Sequence, residues 1–440
     1  MALAIKVDKN SIIGKIKPMH SVGGGPRSGG AYLGSDATEI FKEIGVHRCR
    51  MHDIEGAYSM NQFIDIHCIF PDFDADENND ENYNFIPTDK YLTAIKDSGA
   101  DVLYRLGESI DHFPKKFYVC PPKDYLKWAR ICEHIIRHYN QGWANGYYMD
   151  LKYWEIWNEP EGRCMWRGTY EEFYEFYTVV AKHLKSCFPN LKIGGYSATG
   201  FYSETRPKDH DWYNPWFSTI VPFMDGFFDY IKDKEVPLDF FTWHSYTLSP
   251  EEVAEQSKYI RKYLDEHGYP NAESFLTELN MYYSLGGKAL AQHSEYMTDL
   301  MALLISLHDS PVDEVYLYDL RLGRYNGVFY KDPLDFGMKK LPAFYSMKFF
   351  GDIYRLGSQI KTEYQKGKGI YVLGAKDLNQ AAIIISDRDY DGDVELNVDS
   401  STVTVTSVDS NMKDETFSVT VDNGKAILSL KKEHVYYISL

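Results

Sequence analysis

The chain has 440 residues, 44% of them hydrophobic, enough for one large barrel with a small accessory domain or for two or three ordinary domains. Its net charge of −17 repels phosphate backbones and anionic lipid surfaces, so neither nucleic acid nor membrane is expected as a partner. The sequence carries no uncharged apolar run of about eighteen residues, the length that a membrane-crossing helix needs.

In chain order, the opening residues 1–17 carry early lysines and no long apolar stretch, so no secretory signal is expected. The cysteines (Cys49, Cys68, Cys120, Cys132, Cys164 and Cys187) have no CxxC spacing and read as buried thiols of a reducing, cytoplasmic compartment. Short β-branched or aromatic runs follow at 17–22, 46–51, 101–106, 152–157, 192–196, 239–243, 274–277 and 314–318. Helical patterns separate them. One spaces Leu126, Ala129, Cys132, Ile135, Ile136 and Tyr139 along a single face. Thr169 with Glu172, and Ser249-Pro250 with Glu252, are helix-start signatures. These strand–helix units predict an α/β fold, a (β/α)₈ TIM barrel over 16–352, with a doubly wound sheet as the structural alternative. After about residue 365 the texture changes to alternation, with a turn at Asp422-Asn423-Gly424. That predicts a C-terminal antiparallel β-sandwich over 353–440, with the segment 1–15 as a candidate to join it.

Polar clusters stand where the candidate strands end: Arg50-Met51-His52-Asp53, Asn158-Glu159, His244-Ser245-Tyr246 and Glu278-Leu279-Asn280. Barrel enzymes collect their reactive groups at this end. In Tyr153-Trp154-Glu155-Ile156-Trp157-Asn158-Glu159-Pro160, an apolar strand ends at an acid and a proline stops the ladder. Alone, Glu159 reads as a loop carboxylate bonded to nearby N–H groups. A second strand, Ser274-Phe275-Leu276-Thr277-Glu278, ends in a carboxylate three units later. Strands four and seven of a closed barrel face each other across the mouth. Two facing carboxyls about 5–5.5 Å apart are what retaining glycoside hydrolysis needs, one protonated for the leaving oxygen and one charged for the anomeric carbon.

WNEP after strand four, the Glu of FLTELN after strand seven, Arg50 after strand two and His244/Tyr246 after strand six resemble clan A glycoside hydrolases. Within the clan the layout is most similar to glycoside hydrolase family 39, the β-xylosidase and α-L-iduronidase group, across about residues 15–350. The resemblance implies a retaining, exo-acting, β-xylosidase-like hydrolase of oligosaccharides or glycosides, with Glu159 as general acid/base and Glu278 as nucleophile. It implies no cofactor and no metal, and it leans towards a homo-oligomer. It also implies that Asn158 bonds the sugar 2-hydroxyl, that Tyr246 stands near the nucleophile, and that His52 and His244 contact hydroxyls of the first sugar.

Each of these residues has a plainer reading. Arg50 is either a fixed cation for the nucleophile or a salt-bridge partner of Asp53 or Asp101. His52 and His244 are either ligands or satisfied structural histidines, and Asn158 either bonds sugar or caps a turn. The sequence departs from the clan in having no tryptophan after Trp243, so Tyr316, Tyr318 or Phe329 must supply the strand-eight platform. Asp319 and Arg321 are candidate polar contacts there, and Arg321 and Arg324 either bind a substrate carboxylate or pair with Asp319, Asp332 or Asp335. Tyr147, Tyr148, Trp212 and Trp216 are outer platforms or loop packing. The acidic run from Asp72 to Asn82 lacks the glycine and closing glutamate of a calcium loop and reads as solvated. Gly23-Gly24-Gly25 lacks a P-loop lysine, and His134 with His138 reads as helix surface. A carbohydrate-binding pseudoenzyme and a transglycosidase are the rival functions on the same barrel.

Overall fold

The computed structural model describes residues 3–27, 35–54, 63–111, 113–286, 288–322 and 325–440. β1 (Leu3–Lys15) leads into a closed parallel barrel of β2 (Ser21–Gly23), β3 (Arg48–Met51), β4 (Asp101–Leu106), β5 (Tyr153–Ile156), β6 (Lys192–Ala198), β7 (Phe240–Thr247), β8 (Glu273–Met281) and β9 (Glu314–Leu317). β2 closes the ring by pairing with β9, Ser21 opposite Tyr316 and Val22 opposite Leu317. Each predicted strand overlaps one of these eight, although 17–22 meets β2 only at its end and β7 and β8 run on to Thr247 and Met281; the doubly wound alternative falls because the sheet closes.

Side chains alternate along each strand, so β3 sends Arg48 and Arg50 inward and Cys49 outward into the helical layer. The floor of the barrel is filled by Leu103, Phe240, Phe275 and Tyr316, with Tyr153 packed against them. Below them Arg48 is paired with Glu314, which also accepts a hydrogen bond from Ser21. The reactive groups therefore stand on a packed base rather than over a pore.

The helices bury one face against the strands. Thr169 and Glu172 form the expected reciprocal cap of helix Tyr170–Cys187. Ser249 caps Pro250–Glu266, but Glu252 reaches past it to the Leu248 N–H, leaving its other oxygen for Arg206. In helix Tyr125–Gln141, Ala129, Cys132, Ile135, Ile136 and Tyr139 are buried as expected. Leu126 is exposed and Trp128 is buried in its stead. His138 is not on the surface: it is stacked on Phe85 at 3.7 Å and bonded to Asp89. All the cysteines are free, but only Cys49 and Cys132 are buried. Among the described residues no helix is long and apolar enough to cross a membrane.

A hairpin, β10 (Phe329–Lys331) with β11 (Met338–Lys340), follows the barrel. β12 (Ser358–Tyr364), β13 (Ile370–Lys376), β14 (Ala381–Asp387), β15 (Gly392–Asn397), β16 (Thr402–Asp409), β17 (Asp414–Thr420), β18 (Lys425–Leu430) and β19 (His434–Ser439) then join β1 in one nine-stranded sheet. Its one parallel pairing is β1 with β15. The two ends of the sheet approach each other and enclose a core that includes Ile5, Ile383, Ile385, Leu396 and Ile438. β14 works on both faces: Ile383 and Ile385 enter that core, whereas Ala382 and Ile384 join the barrel's own. The sheet is thus packed onto helices Tyr296–His308 and Ala343–Leu356.

The last of these helices also lies so close to helix Thr38–Ile44 that a Cβ on Gly351 would sit 1.9 Å from the Ile44 carbonyl oxygen. Neither backbone can yield cheaply. Gly351→Ala is expected to lower the unfolding free energy by about 1–3 kcal/mol through overpacking, despite the better helix propensity of alanine. An unchanged urea midpoint would contradict this helix contact.

Candidate active site

Four strand ends converge on one buried cation. Arg50 Nε donates to Glu155 Oε2 at 2.7 Å, Nη1 to Glu278 Oε1 at 2.9 Å, and Nη2 to Asn158 Oδ1 at 2.6 Å and Ser197 Oγ at 2.9 Å. Arg50 thus pairs with neither Asp53 nor Asp101; Asp101 lies instead 3.8 Å from Arg48. Ser197 Oγ passes a further hydrogen bond to Glu155 Oε1 at 2.6 Å. Arg50, Glu155, Asn158 and Ser197 are all fully or almost fully buried. A charge so placed persists only when its partners satisfy it, and here they do: the pairing raises the proton affinity of the guanidinium above its already high ordinary value.

Glu278 reaches this network through an irregularity in β8. Leu276 pairs with Trp243, but Glu278 pairs with the next residue, His244, so Thr277 is one residue in excess. The bulge turns Glu278 into the mouth. Its Oε1 takes the Arg50 bond, and Tyr246 OH donates to its Oε2 at 2.9 Å. Burial raises the Glu278 carboxyl above its ordinary value, with His244 and Arg50 opposing.

Glu159 comes from the turn after β5, where Trp157 and Glu159 themselves take positive φ angles of 71° and 45°. Such backbone is costly for residues other than glycine. It is held by the Glu159 N–H donating to the Ser197 carbonyl at 3.0 Å and by the Trp157 indole donating to the Met165 carbonyl at 2.9 Å. Burial pushes the Glu159 carboxyl up to about 7, with Arg50 opposing and Asp53 reinforcing.

His244 bridges the two acids. Its Nδ1 shares a 2.7 Å hydrogen bond with Glu159 Oε1, and its Nε2 is 3.7 Å from Glu278 Oε1. One oxygen of each glutamate and a ring nitrogen all lie within 4.8 Å of one another. Burial lowers His244 to about 4, so the ring is neutral at physiological pH. His52 is likewise buried and driven well below its ordinary value, first by burial and then by Arg50 and Arg105. Neither of its ring nitrogens has a protein hydrogen-bond partner among the described residues, nor does Asn158 Nδ2.

Above these groups opens a cavity of about 710 Å³, lined by Asp53, Glu159, Tyr246, Glu278 and Tyr318 among others. Tyr318 stands at the end of β9 with its ring 6.4 Å from that of Tyr246 and its OH 3.4 Å from Asp53 Oδ2, and so takes the strand-eight platform position. Tyr316, two residues earlier, points into the barrel floor, where it receives a hydrogen bond from Arg48. The structure does not bring it to the cleft, because successive inward-facing residues of one strand lie at different depths. Phe329 is buried in β10. Arg321 is committed to Asp319 at 2.6 Å and to the Tyr318 hydroxyl; Arg324 lies outside the described residues. A Cβ on Gly24, whose φ is 81°, would meet the Arg321 side chain at 2.5 Å. The glycine run therefore makes room for the Tyr318–Arg321 turn.

Trp212 lines the cavity and Trp216 does not. Tyr147 and Tyr148 precede β5 and lie at the opposite end of the barrel, where the Tyr147 N–H donates to His138. In the acidic run, Asp74 is paired with Lys123, and Glu77 with Arg130 and Lys127. Sequence reasoning missed Glu155 and Ser197. Glu155 sits in an otherwise apolar strand, and an inward carboxylate at that register is itself a sign that a cation lies inside the barrel. It also missed Glu161, a buried acid pushed up to about 8 by burial and bonded to Thr199.

The model of glycosyl hydrolases family 39 matches residues 3–273. A β-xylosidase of Geobacillus stearothermophilus is 26% identical over 187 residues, 38% of this chain; the match covers 33% of that relative's length. Among solved structures, a glucosidase from Croceicoccus marinus superposes with a TM-score of 0.77 at 20% identity, covering 100% of this chain and 99% of that one. A monomeric β-xylosidase from Caulobacter crescentus gives 0.68 at 15% identity, covering 99% of each chain. The solved structures share the fold, and the family model spans well over half of the sequence with the first six strands of the barrel, β2 to β7, and the Asn158-Glu159 turn inside it: the chain belongs to glycosyl hydrolases family 39.

Proposed function

We propose that the chain is a retaining, exo-acting β-glycosidase of the β-xylosidase type, with Glu159 as general acid/base and Glu278 as nucleophile. The observation that carries this reading is the approach of the two carboxyls, whose nearest oxygens are no more than 4.8 Å apart. Inverting enzymes need about 6.5–9.5 Å to fit a water; retaining ones need about 5–5.5 Å. The electrostatic division supports the same roles. Arg50 and Tyr246 each spend a hydrogen bond on Glu278, which favours its charged form. Glu159 has no cation in direct contact among the described residues, and its raised proton affinity keeps it an acid near neutrality.

In the first step Glu278 attacks the anomeric carbon as the glycosidic C–O bond breaks, and the Glu159 proton passes to the departing oxygen. Esterified Glu278 has lost its charge, so Glu159 becomes more acidic. It then takes a proton from water, whose oxygen attacks the anomeric carbon and releases Glu278. Asn158 Nδ2 is free to donate to the 2-hydroxyl, the neutral His52 and His244 rings exchange hydrogen bonds with sugar hydroxyls, and Asp53 and Tyr318 border the same sugar. With Arg321 spent on Asp319, the site supports a neutral sugar over a uronate. The barrel is the catalytic unit, the nine-stranded sheet is accessory, and the free cysteines support a cytoplasmic location.

Glu159→Ala should cost about 10²–10⁴ in turnover of glycosides with poor leaving groups, and with activated leaving groups azide should restore rate by attacking the glycosyl-enzyme to yield a glycosyl azide of retained configuration. Glu278→Ala should be inactive; activity near that of the wild type in this variant refutes the mechanism.

The acid must hold its proton, so kcat/KM should fall as pH rises through about 7. That alkaline limb should vanish in Glu159→Gln. The same shift affects folding. A carboxyl whose native proton affinity is raised above the unfolded value of 4.5 favours the native state fully below that value, and the benefit is lost as pH rises through about 7. Glu159→Gln should therefore be more stable than wild type at pH 8, by on the order of 2–3 kcal/mol at most, with no advantage at pH 4. Equal urea midpoints at pH 8 would show that burying this acid carries no such penalty.

A further inference from the structure

Away from the barrel mouth, three unlike donor side chains converge on one point. They lie between helices Tyr125–Gln141 and Tyr170–Cys187, which pack side by side in the outer ring of the barrel. His183 and Cys187 stand four residues apart, so helix geometry puts both on one face. Glu133 reaches them from the neighbouring helix. His183 Nε2 shares a 2.7 Å hydrogen bond with Glu133 Oε2 and lies 3.8 Å from Cys187 Sγ. One donor atom from each of the three residues lies within 4.8 Å of the other two.

An ion pair between the helices needs only the glutamate and the histidine, and a thiol 3.8 Å from a ring nitrogen adds little to it. A metal ion accounts for all three. Zinc bonds of about 2.0–2.1 Å to oxygen and nitrogen and about 2.3 Å to sulfur, at tetrahedral angles, set the donor atoms about 3.3–3.6 Å apart. The nitrogen–sulfur separation is already close to that. Parting the ring from the carboxylate by about 0.6 Å would bring the 2.7 Å edge to it as well.

The surroundings hold these groups in place. Arg137 bonds Glu133 through Oε1 alone, from Nε at 2.8 Å and Nη2 at 2.7 Å, and leaves Oε2 to the cluster. Arg137 is itself fixed by Gln141 at 2.6 Å and lies over the Phe188 ring at 5.3 Å. Carboxylates that ligate metals are ordinarily oriented by such an outer partner. All three side chains are half-buried, so an ion can enter from solvent.

We propose that Glu133, His183 and Cys187 form a tetrahedral site for zinc or a similar borderline-soft divalent cation, with water as the fourth ligand. Sulfur and imidazole select such an ion over calcium and magnesium, which take oxygen donors. On binding, the thiol proton leaves to solvent and the ring coordinates through unprotonated Nε2. The hydrogen bond between His183 and Glu133 then gives way to two metal bonds, and thiolate and carboxylate together neutralise the dication. The ion ties the helix before β5 to the helix after it, and so braces the strand that carries the Glu159 turn.

The experiment titrates cobalt(II), a spectroscopic stand-in for zinc, into the full chain freed of metal by a chelator, with Cys187→Ser, His183→Gln and Glu133→Gln beside it. Wild type should develop a saturable thiolate-to-cobalt charge-transfer band in the near ultraviolet and the strong visible bands of a tetrahedral ion, and zinc should abolish both. The sulfur band separates this site from the Glu159, His244 and Glu278 cluster, which offers no thiol. Cys187→Ser should lose it. His183→Gln and Glu133→Gln should bind at least about 10–100-fold more weakly, the loss that even an outer partner costs. Zinc should also raise the melting temperature of wild type more than that of Cys187→Ser. A wild type without the charge-transfer band, a band unchanged in Cys187→Ser or His183→Gln, or equal rises in melting temperature overturns the site.

Discussion

A guanidinium sealed inside the barrel mouth is the constraint around which the site is arranged. Arg50 is buried from solvent, so the directions in which it donates must meet acceptors, and the acceptors arrive on three other strands: Glu155 and Asn158 from β5 and the turn after it, Ser197 from β6, Glu278 from β8. Removing any one of them leaves part of a buried charge uncompensated, the costly way to break such a network. The closed parallel barrel satisfies this requirement because it gathers the ends of β3, β5, β6 and β8 around one mouth. The geometry of the proposed site is then a by-product of charge neutralisation: whatever keeps Arg50 satisfied also fixes Asn158 beside Glu159 and holds Glu278.

The same network makes the two glutamates unequal. Glu155 shares the neutralisation of Arg50 with Glu278, and Glu159 is left outside the ion pairs. Glu278 receives a direct guanidinium hydrogen bond and a phenol hydrogen bond; Glu159 receives neither and is left to burial and to the Asp53 carboxylate. His244, neutral between them, links the pair without adding a charge that would favour ionisation of the acid. Two identical side chains are thus placed in unlike surroundings, one hydrogen-bonded by a cation and a phenol and the other not.

How much of this is legible in the sequence follows from what each signal averages over. The barrel strands are short apolar runs with polar residues at one end, and that texture survives because both faces of a parallel strand are buried. β12 and β19 escape notice for complementary reasons: Ser358–Tyr364 is mostly polar, and the apolar run in His434–Ser439 packs on both faces and lacks alternation. Glu159 and Glu278 are legible because each closes an apolar run, although β8 continues past Glu278 to Met281 and Glu159 lies in the turn after β5. Tyr316 and Tyr318 have the same inward parity, so pattern alone cannot tell floor from mouth. Arg50 is legible as a cation, but its partners are not, because Glu155 and Ser197 depend on which strands become neighbours. The cap at Ser249 is legible, and the diversion of Glu252 to Arg206 is not, since Arg206 lies on another loop.

The accessory sheet is tied to the mouth by a chain of contacts rather than by surface packing alone. Arg388, in the connection after β14, pairs with Asp299 at 2.8 Å, and Ser386 donates to the Thr298 carbonyl at 2.7 Å. Asp299 accepts from the Tyr283 hydroxyl at 2.8 Å. Tyr283 is the neighbour of Tyr282, whose ring meets Trp212 on the rim. The acid is almost fully buried, so its two partners are held firmly. The turn after β8 is therefore braced from behind by residues of the sheet, while Arg206 braces the facing loop from the β7 side, donating to the Tyr246 and Trp212 carbonyls. Both walls of the cavity are thus held from outside it, and the attachment of the sheet to helix Tyr296–His308 supplies one of those two fixings.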